Sequence, residues 1–129
     1  MVRNCLIMMM FVAFSACDDI TTSQLPGKWQ LKTVEKNGAV TTVDTVWYNF
    51  QSESVFLLQF YMRQYDEYVS LYGMKVQEDN DLTIELVSDA FLDLIDWEER
   101  IRSFSIESLD SKKLTLRSEE GYLYSFNRF

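Results

Sequence analysis

The sequence predicts an all-β domain, an eight-stranded up-and-down antiparallel barrel with one short helix. Short runs of alternating apolar and polar residues, separated by turn residues at intervals of about 8–12 residues, are typical of small barrels and sandwiches. The 129 residues provide one domain with a substantial core. Closing the meander into a barrel removes the exposed edges of a flat sheet. A β-sandwich is the competing architecture, because periodicity alone does not separate the two.

The first 16 residues have the features of an export signal. Arg3 supplies a positive charge, and residues 6–14 form an unbroken apolar run. This run is too short to span a membrane, which takes about 20 apolar residues. We therefore expect residues 1–16 to be removed, and Cys5 with them.

The residues around Cys17 predict a lipid anchor. Phe14-Ser15-Ala16-Cys17 resembles the lipobox of bacterial lipoproteins, in which a cysteine is acylated and becomes the mature N-terminus. Once Cys5 is lost, Cys17 has no partner for an internal disulfide. Asp18-Asp19 resembles the acidic sorting signals of some lipoproteins. The resemblance implies an exported protein anchored to the bacterial outer membrane, facing the periplasm or the exterior. Cleavage after Ser15 is the alternative.

A polar tether of residues 17–25 precedes the domain, which spans residues 26–129 and begins at Pro26-Gly27. The first strand is predicted over residues 28–36, and Asn37-Gly38 forms the hairpin turn behind it. Three residues alternate with polar ones to make the apolar face of this strand: Trp29, Leu31 and Thr33.

Seven further strands are predicted from the same alternation. They cover residues 45–50, 55–62, 68–76, 82–87, 102–109, 114–118 and 122–129. The run 55–62 is apolar on both faces, so its outer face is expected to meet the helix or a partner. Gly73 lies within a strand and predicts a bulge or a sharp bend. Residues 90–99 break the alternation, and the helical spacing of Phe91, Leu94 and Ile95 predicts the short helix there.

The first and last strands of the predicted barrel carry residues that resemble those of one family. Gly27-Lys28-Trp29 opens the first strand and resembles the Gly-x-Trp signature of lipocalins and their small bacterial lipoprotein relatives, and Asn127-Arg128-Phe129 ends the last strand. In that superfamily the tryptophan plugs the closed end of the barrel and an arginine packs over its ring. The resemblance implies a lipocalin/calycin-like barrel closed at one end by Gly27, Trp29 and Arg128, where a guanidinium over an indole is favourable by about 0.5–2 kcal/mol.

The strand aromatic residues are the candidate ligand-binding residues. Tyrosine rings that line a barrel offer apolar walls with polar tips, which suits a small hydrophobic ligand. The candidates are Tyr48, Phe60, Tyr68, Tyr72, Tyr122 and Tyr124. The alternative is that these rings are core, since an eight-stranded barrel holds packed side chains or one small ligand.

Composition argues against several other classes of function. A net charge of −8 disfavours a nucleic-acid partner. Without histidine and without a Gly-x-Ser-x-Gly elbow, the sequence offers no activated nucleophile, so no catalytic residue is predicted.

The sequence also predicts no bound cofactor or metal. The four glycines stand apart, so no phosphate loop and no cofactor are predicted. Asp79 and Asp81 lack the glycine and glutamate of a calcium loop, so no metal site is predicted. The acidic residues between 89 and 99 are interpreted as a solvated helix face.

Two functions follow from this organisation. The first is a lipid-anchored, lipocalin-like lipoprotein that binds a small hydrophobic ligand. The alternative is a non-catalytic scaffold lipoprotein whose filled barrel binds a protein partner. The two differ in whether the barrel has an accessible cavity. Inward-facing Tyr68, Tyr72 and Tyr124 with space between them would favour the ligand, and interdigitated rings would favour the scaffold.

Overall fold

The computed structural model describes residues 24–129, so the predicted signal and Cys17 lie outside the described residues. Nine strand segments form one antiparallel sheet in which the first strand also pairs with the last, closing a barrel. The strands are β1 Gly27–Lys36, β2 Ala39–Thr42, β3 Val46–Phe50, β4 Val55–Met62, β5 Glu67–Glu78, β6 Asp81–Leu86, β7 Ile101–Leu109, β8 Lys113–Ser118 and β9 Leu123–Arg128. Closure excludes the β-sandwich.

The nine segments occupy eight strand positions, which confirms the predicted eight-stranded barrel. β2 pairs with the second half of β1 and β3 pairs with its first half, so the two lie end to end beside one strand. The turn between β1 and β2 is the predicted Asn37-Gly38, with φ of 53° and 85°. Positive φ at both positions is the requirement of a type I′ hairpin. The segment β2 itself was not predicted.

The predicted helix over residues 90–99 is reduced to a single 3₁₀ turn, Leu92–Ile95. Phe91 before it and Asp96 after it both have φ of 64°, in the left-handed region, so the helical path stops at both ends. One hydrogen-bonded turn does not overcome the cost of helix nucleation. Burial of Ile95 and Trp97 against the barrel determines the conformation here instead of helix propensity.

The bulges of the sheet lie elsewhere than predicted. The pairing of β5 with β4 and β6 runs through Gly73 without a register shift, so the predicted bulge there is wrong. An added Cβ at Gly73 would lie 2.7 Å from the Glu85 carbonyl oxygen, so the glycine allows close approach of β6. Register shifts occur instead after Leu31 and after Ile106. The first makes Val34, rather than the predicted Thr33, the next buried residue of β1.

The core fills the inside of the barrel, because alternate residues of each strand point inward. In β4 the inward residues are Phe56, Leu58 and Phe60. Leu25 is also fully buried in this core, so the folded domain includes residues that the sequence assigned to the tether. Among residues 24–129, no helix has the length and apolar character to cross a bilayer.

Candidate functional site

One end of the barrel, the closed end, is sealed by Trp29 and Arg128. The Arg128 guanidinium lies 3.9 Å from the centroid of the Trp29 ring. Its nitrogens donate to the carbonyl oxygens of Gln24 at 2.6 Å and Pro26 at 2.7 Å. Gly27 has φ of 129°, and a side chain there would collide with Arg128. The structure thus brings Gly27, Trp29 and Arg128 together at this end of the barrel.

The middle of the barrel is filled around Tyr48, which is 1% exposed. Its ring centroid lies 4.7 Å from that of Phe126, 5.4 Å from that of Phe56 and 6.4 Å from that of Phe104. Its hydroxyl accepts a hydrogen bond of 3.1 Å from the indole nitrogen of Trp97. Burial raises the pKa of Tyr48 above that of a free tyrosine, so the hydroxyl stays neutral.

The opposite end, the barrel mouth, is covered by residues 87–100, which we call the mouth segment. This segment connects β6 to β7 and contains no strand. Ile95 and Trp97 insert from it and are only 5% and 3% exposed. Phe91 lies against Phe60 of β4, with 5.9 Å between ring centroids. The mouth is therefore closed by a loop rather than by strands.

Polar contacts of Asp96 fasten the mouth segment to the barrel rim, and we call them the Asp96 latch. The Lys36 ammonium lies 2.6 Å from the Asp96 carboxylate, and the Tyr124 hydroxyl donates to the same group at 3.4 Å. Arg102 donates to the Asp96 carbonyl oxygen at 3.3 Å and to the Tyr124 hydroxyl at 3.1 Å. The hydrogen bond to Asp96 raises the pKa of Lys36. Burial opposes the charge of Arg102, but its interactions with Tyr48, Tyr124 and Glu120 together raise its pKa.

A cleft of about 430 Å³ opens beside the latch, within the size range of small-molecule sites. Its walls carry two cations, two tyrosines, Ile101, Ser103 and five carboxylates. The charged and aromatic wall residues are Lys36, Arg102, Tyr122, Tyr124, Asp96, Glu98, Glu99, Glu119 and Glu120. The excess of carboxylates disfavours an anionic ligand in this cleft. Within residues 24–129, no group of three acidic or cysteine residues has the arrangement of a metal site.

The six aromatic candidates do not form one cavity. Tyr48, Phe60 and Tyr124 are buried in the interior, and Tyr122 lies at the rim of the mouth cleft. Tyr68 and Tyr72 are 71% and 57% exposed on the outer face of β5, which corrects their predicted place inside the barrel. The inward positions of this strand belong to residues 71, 73 and 75, because side chains alternate with period two.

The residues that close the mouth were not predicted from the sequence. Trp97 and Asp96 were assigned to a solvated helix face, and Arg102 and Lys36 were given no role. The signal that could have found them is the pair Trp97 and Arg102 itself. A tryptophan between strands and an arginine at the start of the next strand are residues that pack well on each other, and here Arg102 lies 5.7 Å from the Trp97 ring centroid.

The barrel, sealed at one end by a tryptophan under an arginine, has the architecture that its terminal motifs implied, and comparison with known families agrees. A family described as the lipocalin-like domain matches residues 10–129. The chain belongs to the lipocalin-like domain family. Its closed end and its mouth are therefore those of a lipocalin-like barrel.

Two solved structures are similar to this lipocalin-like barrel. A lipocalin-like protein from Bacteroides uniformis shares 28% identity at a TM-score of 0.74, covering 82% of this chain and 99% of that one. An uncharacterized protein from Bacteroides eggerthii shares 27% identity at a TM-score of 0.69, covering 81% of this chain and 98% of that one. No curated protein matches the chain.

Proposed function

We propose that this protein is an exported, lipid-anchored and non-catalytic binding protein that takes a small hydrophobic ligand at the mouth of its barrel. The observation that carries the proposal is the closure of the mouth by the mouth segment, with Trp97 as its plug. Barrel strands are held by continuous ladders of hydrogen bonds, whereas this segment bonds to strand backbone only at its ends, Val87 and Arg100, and is held between them by a few side chains and the Asp96 latch. The middle of this segment can therefore move away from the barrel without breaking a strand ladder.

The surfaces beneath the mouth segment suit an apolar ligand. The Trp97 ring packs on Phe104 and on Tyr48, whose hydroxyl is its polar partner. Tyr124 packs on Phe104, and Phe60 lies beneath Phe91 of the same segment. Withdrawal of the Trp97 indole would expose these rings and leave the Tyr48 hydroxyl free to bond a ligand. An apolar pocket with one or two placed polar groups is the usual form of a small-molecule site. The adjoining acidic cleft favours a neutral ligand over an anion.

Truncation of Trp97 is expected to open this site. In Trp97→Ala the space of the indole should admit a neutral naphthylamine dye, whose fluorescence rises in apolar surroundings, with one site per chain and tighter binding than the wild type. Fluorescence titration measures the affinity. Trp47→Ala is the matched control, because Trp47 lies on the outer face of β3, outside the interior core.

Circular dichroism checks that the variants are folded, and Ile95→Ala is the milder truncation of the mouth segment should Trp97→Ala not fold. Dye binding by folded Trp97→Ala that is no tighter than that of the wild type would contradict a ligand site at the mouth. That outcome would instead support the alternative function, a scaffold lipoprotein that binds a protein partner. The filled interior around Tyr48 is the observation in favour of that alternative.

The lipid anchor at Cys17 is supported by the sequence around it. A lipobox-like Phe14-Ser15-Ala16-Cys17 follows an apolar run of signal-peptide length. We expect Cys17→Ala to shift the protein from the membrane fraction to the soluble fraction, as measured by immunoblotting of fractionated bacteria. Wild-type protein processed after Ser15 would be soluble already. Retention of Cys17→Ala in the membrane fraction would indicate that an uncleaved signal holds the protein there.

A further inference from the structure

The outer face of β3, β4 and β5 carries a cluster of apolar side chains that we call the aromatic patch. The patch consists of Trp47, Leu57, Tyr61, Tyr68, Tyr72, Met74 and Phe129. The ring of Trp47 lies 5.8 Å from those of both Tyr68 and Phe129, and Tyr61 lies 5.0 Å from Tyr68, between centroids. Trp47 and Leu57 are buried although neither belongs to the interior core. The patch is therefore a second apolar cluster, on the outside of the barrel.

The patch is open to solvent and occupies one side of the barrel. Tyr68 is 71% exposed, and Tyr72 and Met74 are each 57% exposed. On the opposite side, the outward positions of β8 are Lys113, Thr115 and Arg117. A contiguous exposed apolar surface on one side only is typical of an interaction site rather than of ordinary surface composition.

The chain enters the barrel beside this patch. Arg128 holds the carbonyl oxygens of Gln24 and Pro26 at 2.6 Å and 2.7 Å. The next residue, Phe129, is a patch residue, and the Lys28 ammonium lies 4.8 Å from the centroid of its ring. The first described residue and the edge of the patch are therefore neighbours at the closed end of the barrel.

The distance from this entry point to Cys17 is short. Six residues separate Cys17 from Gln24, and an extended chain reaches at most about 3.6 Å per residue, or about 25 Å over this stretch. An acyl chain on Cys17 would thus keep the patch-bearing side within about one barrel length of the bilayer. Anchoring at Cys17 makes the lipid surface the partner that is always within reach of the patch.

We propose that the aromatic patch lies on the surface of the bilayer to which Cys17 anchors the protein, with its rings among zwitterionic lipid headgroups. This inference rests on the lipid anchor of the proposed function. Tyrosine and tryptophan rings favour the headgroup region, because one side of each ring is apolar and its tip is polar. The net charge of −8 opposes attraction to an anionic surface, so contact through apolar burial on a zwitterionic surface fits this chain.

Quenching by brominated lipid tests the contact. The acylated protein, isolated from bacterial membranes and verified by its mass, is reconstituted into phosphatidylcholine vesicles with and without lipid brominated at the acyl carbons nearest the headgroup. Trp47 is the one tryptophan of the patch, so brominated lipid should quench part of the wild-type fluorescence. Trp47→Phe should lose that quenching. Tyr68→Ser with Tyr72→Ser should weaken it, while Ile101→Ser, which removes an exposed apolar side chain of β7, should leave it unchanged.

The outcomes separate the patch from the anchor. A mass without acyl chains would refute the anchor and this inference with it, while leaving the ligand site at the mouth untouched. An acylated protein whose fluorescence is not quenched, or is quenched equally in Trp47→Phe, would show that the anchored barrel turns its patch away from lipid. In that case the patch would be left for a protein partner, and the inference would be overturned.

Discussion

Replacing Trp29 by alanine is expected to lower the free energy of unfolding by about 3–5 kcal/mol, the usual cost of deleting a large buried aromatic side chain. Trp29 is fully buried. Its indole nitrogen donates to the Leu25 carbonyl oxygen at 2.9 Å, and its ring supports the Arg128 guanidinium. The substitution would therefore leave a cavity and also loosen the residues that seal the closed end. Folded domains typically have a free energy of unfolding of about 5–15 kcal/mol, so this loss would be a large part of it.

Urea denaturation followed by circular dichroism measures this loss. Trp47→Ala is the matched control, because it makes the same change in a tryptophan that packs on the outer face of the barrel. Its indole nitrogen has no hydrogen-bond partner within residues 24–129, so its removal breaks no hydrogen bond. We expect the control to lose less than Trp29→Ala. A loss below about 1 kcal/mol for Trp29→Ala would show that this ring does not plug the barrel.

The strands could be predicted because their signals are local. Alternation places every second residue of β6 inward, and the buried residues there are Leu82, Ile84 and Leu86. Asn37-Gly38 specifies its own turn, because both residues tolerate positive φ. Closure followed from the meander itself, since consecutive strands with short turns leave two edges that can pair. The eight predicted strands consequently match the observed ones to within two residues at each end.

The candidate site was harder to predict, because it depends on which face a residue occupies and on contacts distant in sequence. To place Tyr68 and Tyr72, one must know which face of β5 points into the barrel. Hydrophobicity does not decide this, because both faces of the strand carry apolar residues. The bulge after Leu31 has no sequence signature and reverses the facing of the rest of β1.

The position of the mouth segment also could not be predicted, because it depends on contacts between residues far apart in the sequence. Its helical spacing is real, but the position of Trp97 is fixed by the Tyr48 hydroxyl, 49 residues away in the chain. The contact of Lys36 with Asp96 spans 60 residues. Acidic residues between strands therefore gave no local sign that one of them fastens the segment to the barrel.

The stability of the barrel is expected to fall steeply as the pH rises above about 10, because Tyr48 cannot ionise inside it. Burial raises the pKa of Tyr48 from the 10.0 of a free tyrosine. The unfolded chain therefore loses the Tyr48 proton at a lower pH than the folded chain does. The stability due to this group is complete below the unfolded pKa and declines as the pH rises from there toward the folded pKa, by at most about 1.4 kcal/mol per pH unit.

Two other residues of the mouth act in the same direction. Burial raises the pKa of Tyr124, and the hydrogen bond to Asp96 raises that of Lys36 above 10.5. The contribution of Lys36 is likewise present below its unfolded pKa and lost as the pH rises through its folded pKa. Alkaline pH should thus release the mouth segment as well as weaken the core.

Urea denaturation at a series of pH values from about 8 to 12 measures the slope of stability against pH. Tyr48→Phe should reduce the slope above pH 10, because it removes the most deeply buried phenol. Below pH 10 the same variant should be less stable than the wild type by about 1–3 kcal/mol, since the Trp97 indole loses its acceptor. Tyr65→Phe is the control, because the Tyr65 side chain is 65% exposed. An alkaline slope that is equal in Tyr48→Phe and Tyr65→Phe would mean that Tyr48 does not determine it.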